Sequence, residues 1–248
     1  HLHRNKIDFM KKILIIICCI FALQPAYSQL FSKKKVLNDA SGGNGQIDNN
    51  ILTWGYFLGF NSYDFKFTYN TNADAIQLKP STGFNVGLVG DVKLNNYMNL
   101  RLEPGIFFTT RNIEYPESYG LTSISDRNRE IKSSYVHIPL LLKIGTKRIN
   151  NIKPFIVGGF STSLNLSSNQ DNPDDNSSNQ FRMKKTTYYY ELGFGVDFYL
   201  YYFKFTPSIR GVFALNDELV RDVDPNSPWT SNIQSMKSRG IFINFTFQ

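Results

Sequence analysis

Residues 240–248 read Gly-Ile-Phe-Ile-Asn-Phe-Thr-Phe-Gln. In an extended strand successive side chains point to opposite faces, so Ile241, Ile243, Phe245 and Phe247 share one face and Gly240, Phe242, Asn244, Thr246 and Gln248 share the other. A soluble sandwich can use such a strand, but a bulky apolar face that runs out in aromatics suits lipid better than water. Lipid offers no hydrogen bonds. A strand that faces it needs all its backbone groups paired, so the rest of the chain is expected to supply a closed ring of strands.

Seven earlier stretches repeat the two-residue period: 54–69, 84–94, 99–111, 133–145, 153–166, 186–201 and 203–215. In the fourth, Val136, Ile138, Leu140, Leu142 and Ile144 form an outward face, with Tyr135, His137 and Lys143 behind it. The first changes phase. Trp54, Tyr56, Leu58 and Phe60 alternate on one parity and Tyr63, Phe65, Phe67 and Tyr69 on the other, so a bulge near Asn61-Ser62 is expected to restore a common outward face.

The connections alternate in length. Those at 95–98, 146–152 and 201–202 are short, whereas 70–83, 112–132, 167–185 and 216–238 are long, polar and rich in turn residues. Outer-membrane barrels show this asymmetry, with short periplasmic turns and long outer loops, and a sandwich has no reason to. The expected fold is all-β: an eight-stranded antiparallel transmembrane β-barrel over residues 54–248, behind a flexible N-terminal leader, with both termini periplasmic.

Composition agrees. Of the 248 residues 21 are Phe and 14 Tyr, and only 19% are charged, so strand formers dominate. The N-terminal part reads as an address. Met10-Lys11-Lys12 is a basic start, residues 13–23 are apolar, and Ala26-Tyr27-Ser28 precedes Gln29 as a small-residue cleavage site. Residues 1–28 are thus expected to be upstream sequence followed by a signal peptide starting at Met10. The apolar run is too short for a helix to cross a core of roughly 30 Å. Residues 29–53, with Lys33-Lys34-Lys35 and a Gly-Ser-rich stretch, have no period and read as a flexible periplasmic leader.

Both cysteines, Cys18 and Cys19, fall in the signal segment, so disulfides and thiolate metal sites are not expected in the mature chain. They sit in the middle of the apolar run, where a lipid-anchored Cys would not be. Removing residues 1–28 lowers the formal net charge from +7 to +4, too mild for a nucleic-acid footprint.

Eight strands leave no aqueous channel; side chains fill the interior. The inward set includes Asp91, Lys93, Arg101, Glu103, His137, Lys143, Glu191, Asp197, Lys204 and Arg210. Both signs are present, so these residues are expected to form a paired, hydrogen-bonded plug rather than a binding site. His137 is the only histidine outside the signal segment and the only candidate general base. No G-x-S-x-G element accompanies it, so no catalytic residue is assigned. The acidic stretch 171–176 lacks calcium-loop spacing and reads as an exposed polar loop, and the Asn-x-Ser motifs at Asn165 and Asn176 carry little weight. No cofactor, metal or small-molecule substrate is expected.

Two stretches carry a resemblance. Residues 135–144 read Y-V-H-I-P-L-L-L-K-I and residues 153–159 read K-P-F-I-V-G-G. They resemble the Bacteroidota outer-membrane β-barrel family, in which a Y-x-x-I-P-L-L-L-K strand precedes a K-P-[FY] strand. Within it, L-G-F-N-S-Y-D-F-K-F at 58–67 and the closing G-I-F-I-N-F-T-F are similar to the PorT-like branch. His137 departs from the pattern, since many members carry Glu there.

The resemblance implies a non-enzymatic outer-membrane component of the type IX secretion system, needed for export of folded cargo and, in gliding bacteria, of surface adhesins. Its partners would be outer-membrane lipid and other secretion-machinery proteins. Periodicity alone reaches only a small plugged barrel. The alternatives are a generic adhesion or ligand-binding barrel using its outer loops, and a lipid-modifying enzyme dependent on His137.

Overall fold

The structure, a computed structural model, describes residues 50–71, 74–121, 123–178 and 180–248. The signal segment and the leader as far as residue 49 lie outside the described residues. Ten strands follow in chain order: β1 (Leu52–Tyr69), β2 (Gln77–Pro80), β3 (Thr82–Lys93), β4 (Met98–Leu102), β5 (Gly105–Glu114), β6 (Asn128–Gly145), β7 (Ile152–Asn165), β8 (Thr186–Tyr199), β9 (Lys204–Ala214) and β10 (Ile233–Phe247). Strand β1 pairs antiparallel with β3 on one side and with β10 on the other. The sheet therefore closes on itself.

Ten segments make eight staves. Strands β2 and β3 are one stave interrupted at Ser81, and β4 and β5 are another interrupted at Glu103-Pro104, with β5 pairing to both β2 and β3 and β6 to both β4 and β5. Proline has no N–H to give a ladder, which accounts for the second break. The wall stays continuous there because Pro104 O accepts from Leu88 N at 2.9 Å and Pro139 O from Glu103 N at 3.4 Å. The eight-stranded antiparallel barrel is the fold expected from the alternation.

The staves are longer than a membrane requires. An 18-residue strand such as β1 or β6 runs roughly 60 Å and, tilted by about 40°, rises roughly 45 Å against an apolar band of about 25 Å. The excess lies at the loop end. Along the outer face of β1, Trp54, Tyr56, Leu58 and Phe60 give way to Ser62, Asp64, Lys66 and Thr68; along β6, Ile144, Leu142, Leu140, Ile138 and Val136 give way to Ser134, Lys132, Glu130 and Asn128. At the turn end the band finishes in exposed Trp54, Tyr97, Tyr201, Tyr202 and Phe203, an aromatic girdle.

The inner face inverts at the same height. Inside the lipid band it carries the buried charged residues together with rings such as Phe57, Phe107 and Phe242. Beyond the band, where water bathes the outside, it turns apolar: Phe65, Ile113, Ile131, Ile233 and Met236 from the strands join Ile76, Tyr115, Leu121, Met183 and Leu219 from the loops in one buried cluster. A strand leaving lipid for water exchanges the solvents on its two sides, so its hydrophobic face must change sides.

This inversion corrects the expected bulge. The pairing of β1 with β10 holds register from Tyr56 to Thr68, and with β3 from Leu52 to Ser62. No bulge interrupts Asn61-Ser62. Tyr63 and Phe65 are buried inside, not outward, and the irregularity falls between Thr68 and Tyr69. The loops are also shorter than expected. Residues 112–114, 128–132 and 233–238 belong to strands.

Candidate functional site

The polar interior is a chain of ion pairs strung between staves. Arg101 grips Asp91 with two bonds, Nε to Oδ1 at 2.7 Å and Nη2 to Oδ2 at 2.6 Å, and donates from Nη1 to Glu103 Oε1 at 3.1 Å. Arg210 stands 2.7 Å from Glu103 Oε2 and 3.4 Å from Glu191 Oε2, close in charge but not aligned as hydrogen bonds. Lys143 donates to both oxygens of Asp197 at 2.7 Å, Thr206 donates to Oδ1 at 2.7 Å, and Lys204 lies 3.8 Å from Asp91. Four buried cations, Arg101, Lys143, Lys204 and Arg210, meet four buried carboxylates, Asp91, Glu103, Glu191 and Asp197. Charges taken out of water persist only when matched in this way.

His137 ends the chain. Its Nε2 lies 2.7 Å from Glu191 Oε1 and its Nδ1 lies 2.5 Å from Ser163 Oγ. With Glu191 ionised, Nε2–H donates to it and Nδ1 accepts from the Ser163 hydroxyl. Serine, histidine and carboxylate in series have the connectivity of a nucleophilic relay. Access is missing, because Ser163 is 1% exposed and His137 fully buried. The imidazole packs edge-on against Phe107, Tyr189 and Phe242, with centroids 5.0, 5.8 and 5.6 Å away. A reacting carbonyl would need to stand about 3 Å from the hydroxyl. Rings fill that space.

Above His137 the interior becomes aromatic. Phe57, Tyr63, Phe107, Tyr135, Tyr189 and Phe242 form a buried layer with Val212 and Ala214. Arg111 crowns it, its guanidinium 4.0 Å from the Phe65 ring centroid, bonding to Tyr135 Oη and donating to Ser238 Oγ at 3.0 Å and Ser133 Oγ at 3.3 Å. Ser238 in turn donates from its backbone N and its hydroxyl to Glu218, at 2.8 and 2.9 Å. Glu218 lies on the β9–β10 loop, and burial pushes its carboxyl above the usual range.

The loop end is a folded cap. Asp222 receives bonds from Asn176 Nδ2 at 3.0 and 3.2 Å and from the hydroxyls of Ser227 at 2.5 Å and Thr230 at 3.2 Å. Trp229 Nε1 donates to Asp126 O at 3.0 Å. These contacts tie together the β5–β6, β7–β8 and β9–β10 loops. Asn176 is 1% exposed, which corrects the reading of 171–176 as wholly exposed.

The described residues leave a hollow at the turn end. A cavity of about 270 Å³ sits in its mouth, lined by Lys93, Lys143, Lys147, Arg148, Lys153 and Lys204 with Asp197 and several Asn and Thr side chains. Lys93, one of the residues expected in the plug, stands in this mouth, half-buried, rather than among the deep pairs. The other nine expected interior residues are all buried. Thr206 reads as inward from its parity, but its partner Asp197 emerges only through strand register; Ser163, Arg111 and Glu218 were assigned to no site. The sequence reading also missed the clustering of Lys147, Arg148 and Lys153, although cations beside every short turn were a readable signal.

A sequence profile described as an outer membrane protein beta-barrel domain matches residues 32–220. No curated protein matches the chain. Among solved structures, the outer membrane protein OprG from Pseudomonas aeruginosa is similar at 13% identity, covering 79% of this chain and 93% of that one, with a TM-score of 0.45. Neisserial surface protein A is similar at 8% identity, with 79% and 97% covered and a TM-score of 0.43. The attachment invasion locus protein of Yersinia pestis, solved with the heparin analogue sucrose octasulfate, is similar at 13% identity, with 78% and 96% covered and a TM-score of 0.36.

Proposed function

Because the chain belongs to the outer membrane protein β-barrel domain family, we propose that it is a non-enzymatic outer-membrane component of the type IX secretion machinery. In this reading it supports export of folded cargo, and gliding where the organism glides. It works through its surfaces, with the termini, the short turns and the leader, which ends where β1 begins at Leu52 rather than at the expected residue 53, in the periplasm and the folded cap outside. One observation carries the absence of a conduit: the inward side chains from Asp91 and Arg101 through His137 to Arg111 and Ile113 are all buried, so the interior is filled along its height. The specific assignment rests on the Y-V-H-I-P-L-L-L-K-I and K-P-F-I-V-G-G strands. Deleting the gene and assaying the medium for cargo with a C-terminal sorting domain tests it. Loss of that cargo supports the role, and normal export refutes it.

The cap favours a second reading, an adhesion or ligand-binding barrel. Its loops are cross-linked through Asp222 and Trp229 into a defined outer surface. Replacing the cap with short turns separates the two readings, since adhesion is lost and export kept only if the second is right.

A further inference from the structure

Two lysines oppose each other on the seam that closes the ring. In the pairing of β1 with β10, Lys66 stands across from Lys237, between the Asp64–Arg239 pair on the belt side and Thr68–Ser235 on the cap side. These side chains lie on the outer wall, since Phe65 and Met236, their neighbours of opposite parity, are buried inside. Like charges directly opposite one another destabilise a strand pair. No carboxylate among the described residues offsets them. Asp64 Oδ2 already takes two bonds from Arg239, and Lys237 Nζ donates to a neutral acceptor, the backbone oxygen of Leu215, at 2.9 Å. Lys66 and Lys237 therefore keep their charges unmatched.

We propose that Lys66, Lys237, Thr68 and Ser235 hold the phosphate of an anionic lipid in the leaflet at the cap end. An ammonium carries three donors and no acceptor, and a hydroxyl donates as well. Facing side chains of paired strands stand about 5 Å apart, and successive rows of one face about 7 Å, so the four make a donor patch that one phosphate can bridge. Its height fits. The lysine row lies about 7 Å along the strand beyond the Asp64–Arg239 pair, or about 5 Å further from the bilayer centre at a tilt of about 40°, where headgroups succeed acyl chains. Below that pair the wall offers exposed Phe60, Ile241 and Ile243 to the acyl chains. The same geometry selects a lipid over a free anion. Lys66 is exposed, so a soluble phosphate would give up its translational freedom for charges screened by water and salt. A lipid is already confined to the bilayer with its phosphate at this height, and gives up only lateral freedom.

The test follows backbone amide signals of residues 64–68 and 235–239 by NMR, on the full chain in phosphatidylcholine nanodiscs with a rising fraction of phosphatidylglycerol. The shifts should saturate at a low fraction. Lys66→Gln or Lys237→Gln alone should raise the half-saturating fraction roughly fivefold, and the two together by about tenfold or more. Lys147→Gln, at the opposite end of the barrel, should leave it unchanged. In phosphatidylcholine alone the double variant should unfold at higher urea than the wild type, because the opposed charges are gone. A double variant less stable than the wild type there would show that the chain itself compensates the lysines, and overturns the proposal; the single variants keep the lipid measurement available in that case. Shifts that climb in proportion to phosphatidylglycerol without saturating, or that saturate alike in wild type and variants, overturn it too. So does an equal response to oleate at matched charge, or saturation by inorganic phosphate in phosphatidylcholine discs.

Discussion

Arg239 on β10 holds Asp64 on β1 across the seam that closes the ring, with Nη2 at 2.6 Å and Nε at 2.9 Å from the same carboxylate oxygen. The pair is on the outer wall. One step toward the turn end, Ser62 faces Ile241, and one further, Phe60 faces Ile243. A half-exposed ion pair directly above an apolar column marks where acyl chains end and water begins.

Arg239→Ala is therefore expected to cost no more than about 1 kcal/mol, the ordinary worth of a solvated pair, and less at high salt. Urea unfolding from vesicles at two salt concentrations measures it. A loss of several kcal/mol would place the seam inside the lipid.

A cation introduced on the outer wall should be costly only within the belt. Leu192, 61% exposed, lies midway along the outer column of β8 between Tyr188 and Phe198, and Leu192→Arg is expected to destabilise by about 2–4 kcal/mol. Ser62→Arg, at the upper border, is expected to cost about 0–1 kcal/mol. Unfolding free energies in one lipid decide it, and equal costs would contradict the belt.

The interior pairs predict the opposite dependence on partners. Asp91→Ala leaves Arg101 buried without its two-bond acceptor, at a cost of about 3–5 kcal/mol, whereas Asp91→Leu with Arg101→Met is expected to regain most of it. Chemical unfolding of the singles and the double measures the coupling, and additive losses would show that the two residues act independently.

Glu218 gives the cap a pH dependence. Burial raises its folded pKa above glutamate's ordinary 4.5, so folding favours the protonated form. Its contribution to stability is complete below 4.5 and is lost as pH rises through the folded value. Glu218→Gln keeps an acceptor for Ser238 N and should flatten this slope while raising stability at neutral pH. An unchanged slope in the variant would assign the dependence to other groups.

The alternation was legible wherever one strand kept one solvent on each side. Residues 84–94, 133–145 and 203–215 read correctly because they lie mostly within the belt. Residues 61–69 misled because the strand continues into water, where Tyr63 and Phe65 belong inside and Asp64 and Lys66 outside. The period was intact while its meaning reversed. Charged interior residues could be named from their parity, yet their partners could not. Arg101 finds Asp91 through the pairing of β3 with β4, and His137 finds Ser163 through that of β6 with β7; register is set by closure of the whole ring rather than by any one strand.

Nitroxide labels at Leu192→Cys and Lys66→Cys, on the full chain in bilayers, test the exchange of solvents along the wall. The label at 192 should relax with oxygen and be shielded from a water-soluble nickel complex, and the label at 66, on the same strand as Phe60 and about 20 Å further along it, should behave in reverse. Nickel access at 192 matching that at 66 would contradict the lipid-facing barrel.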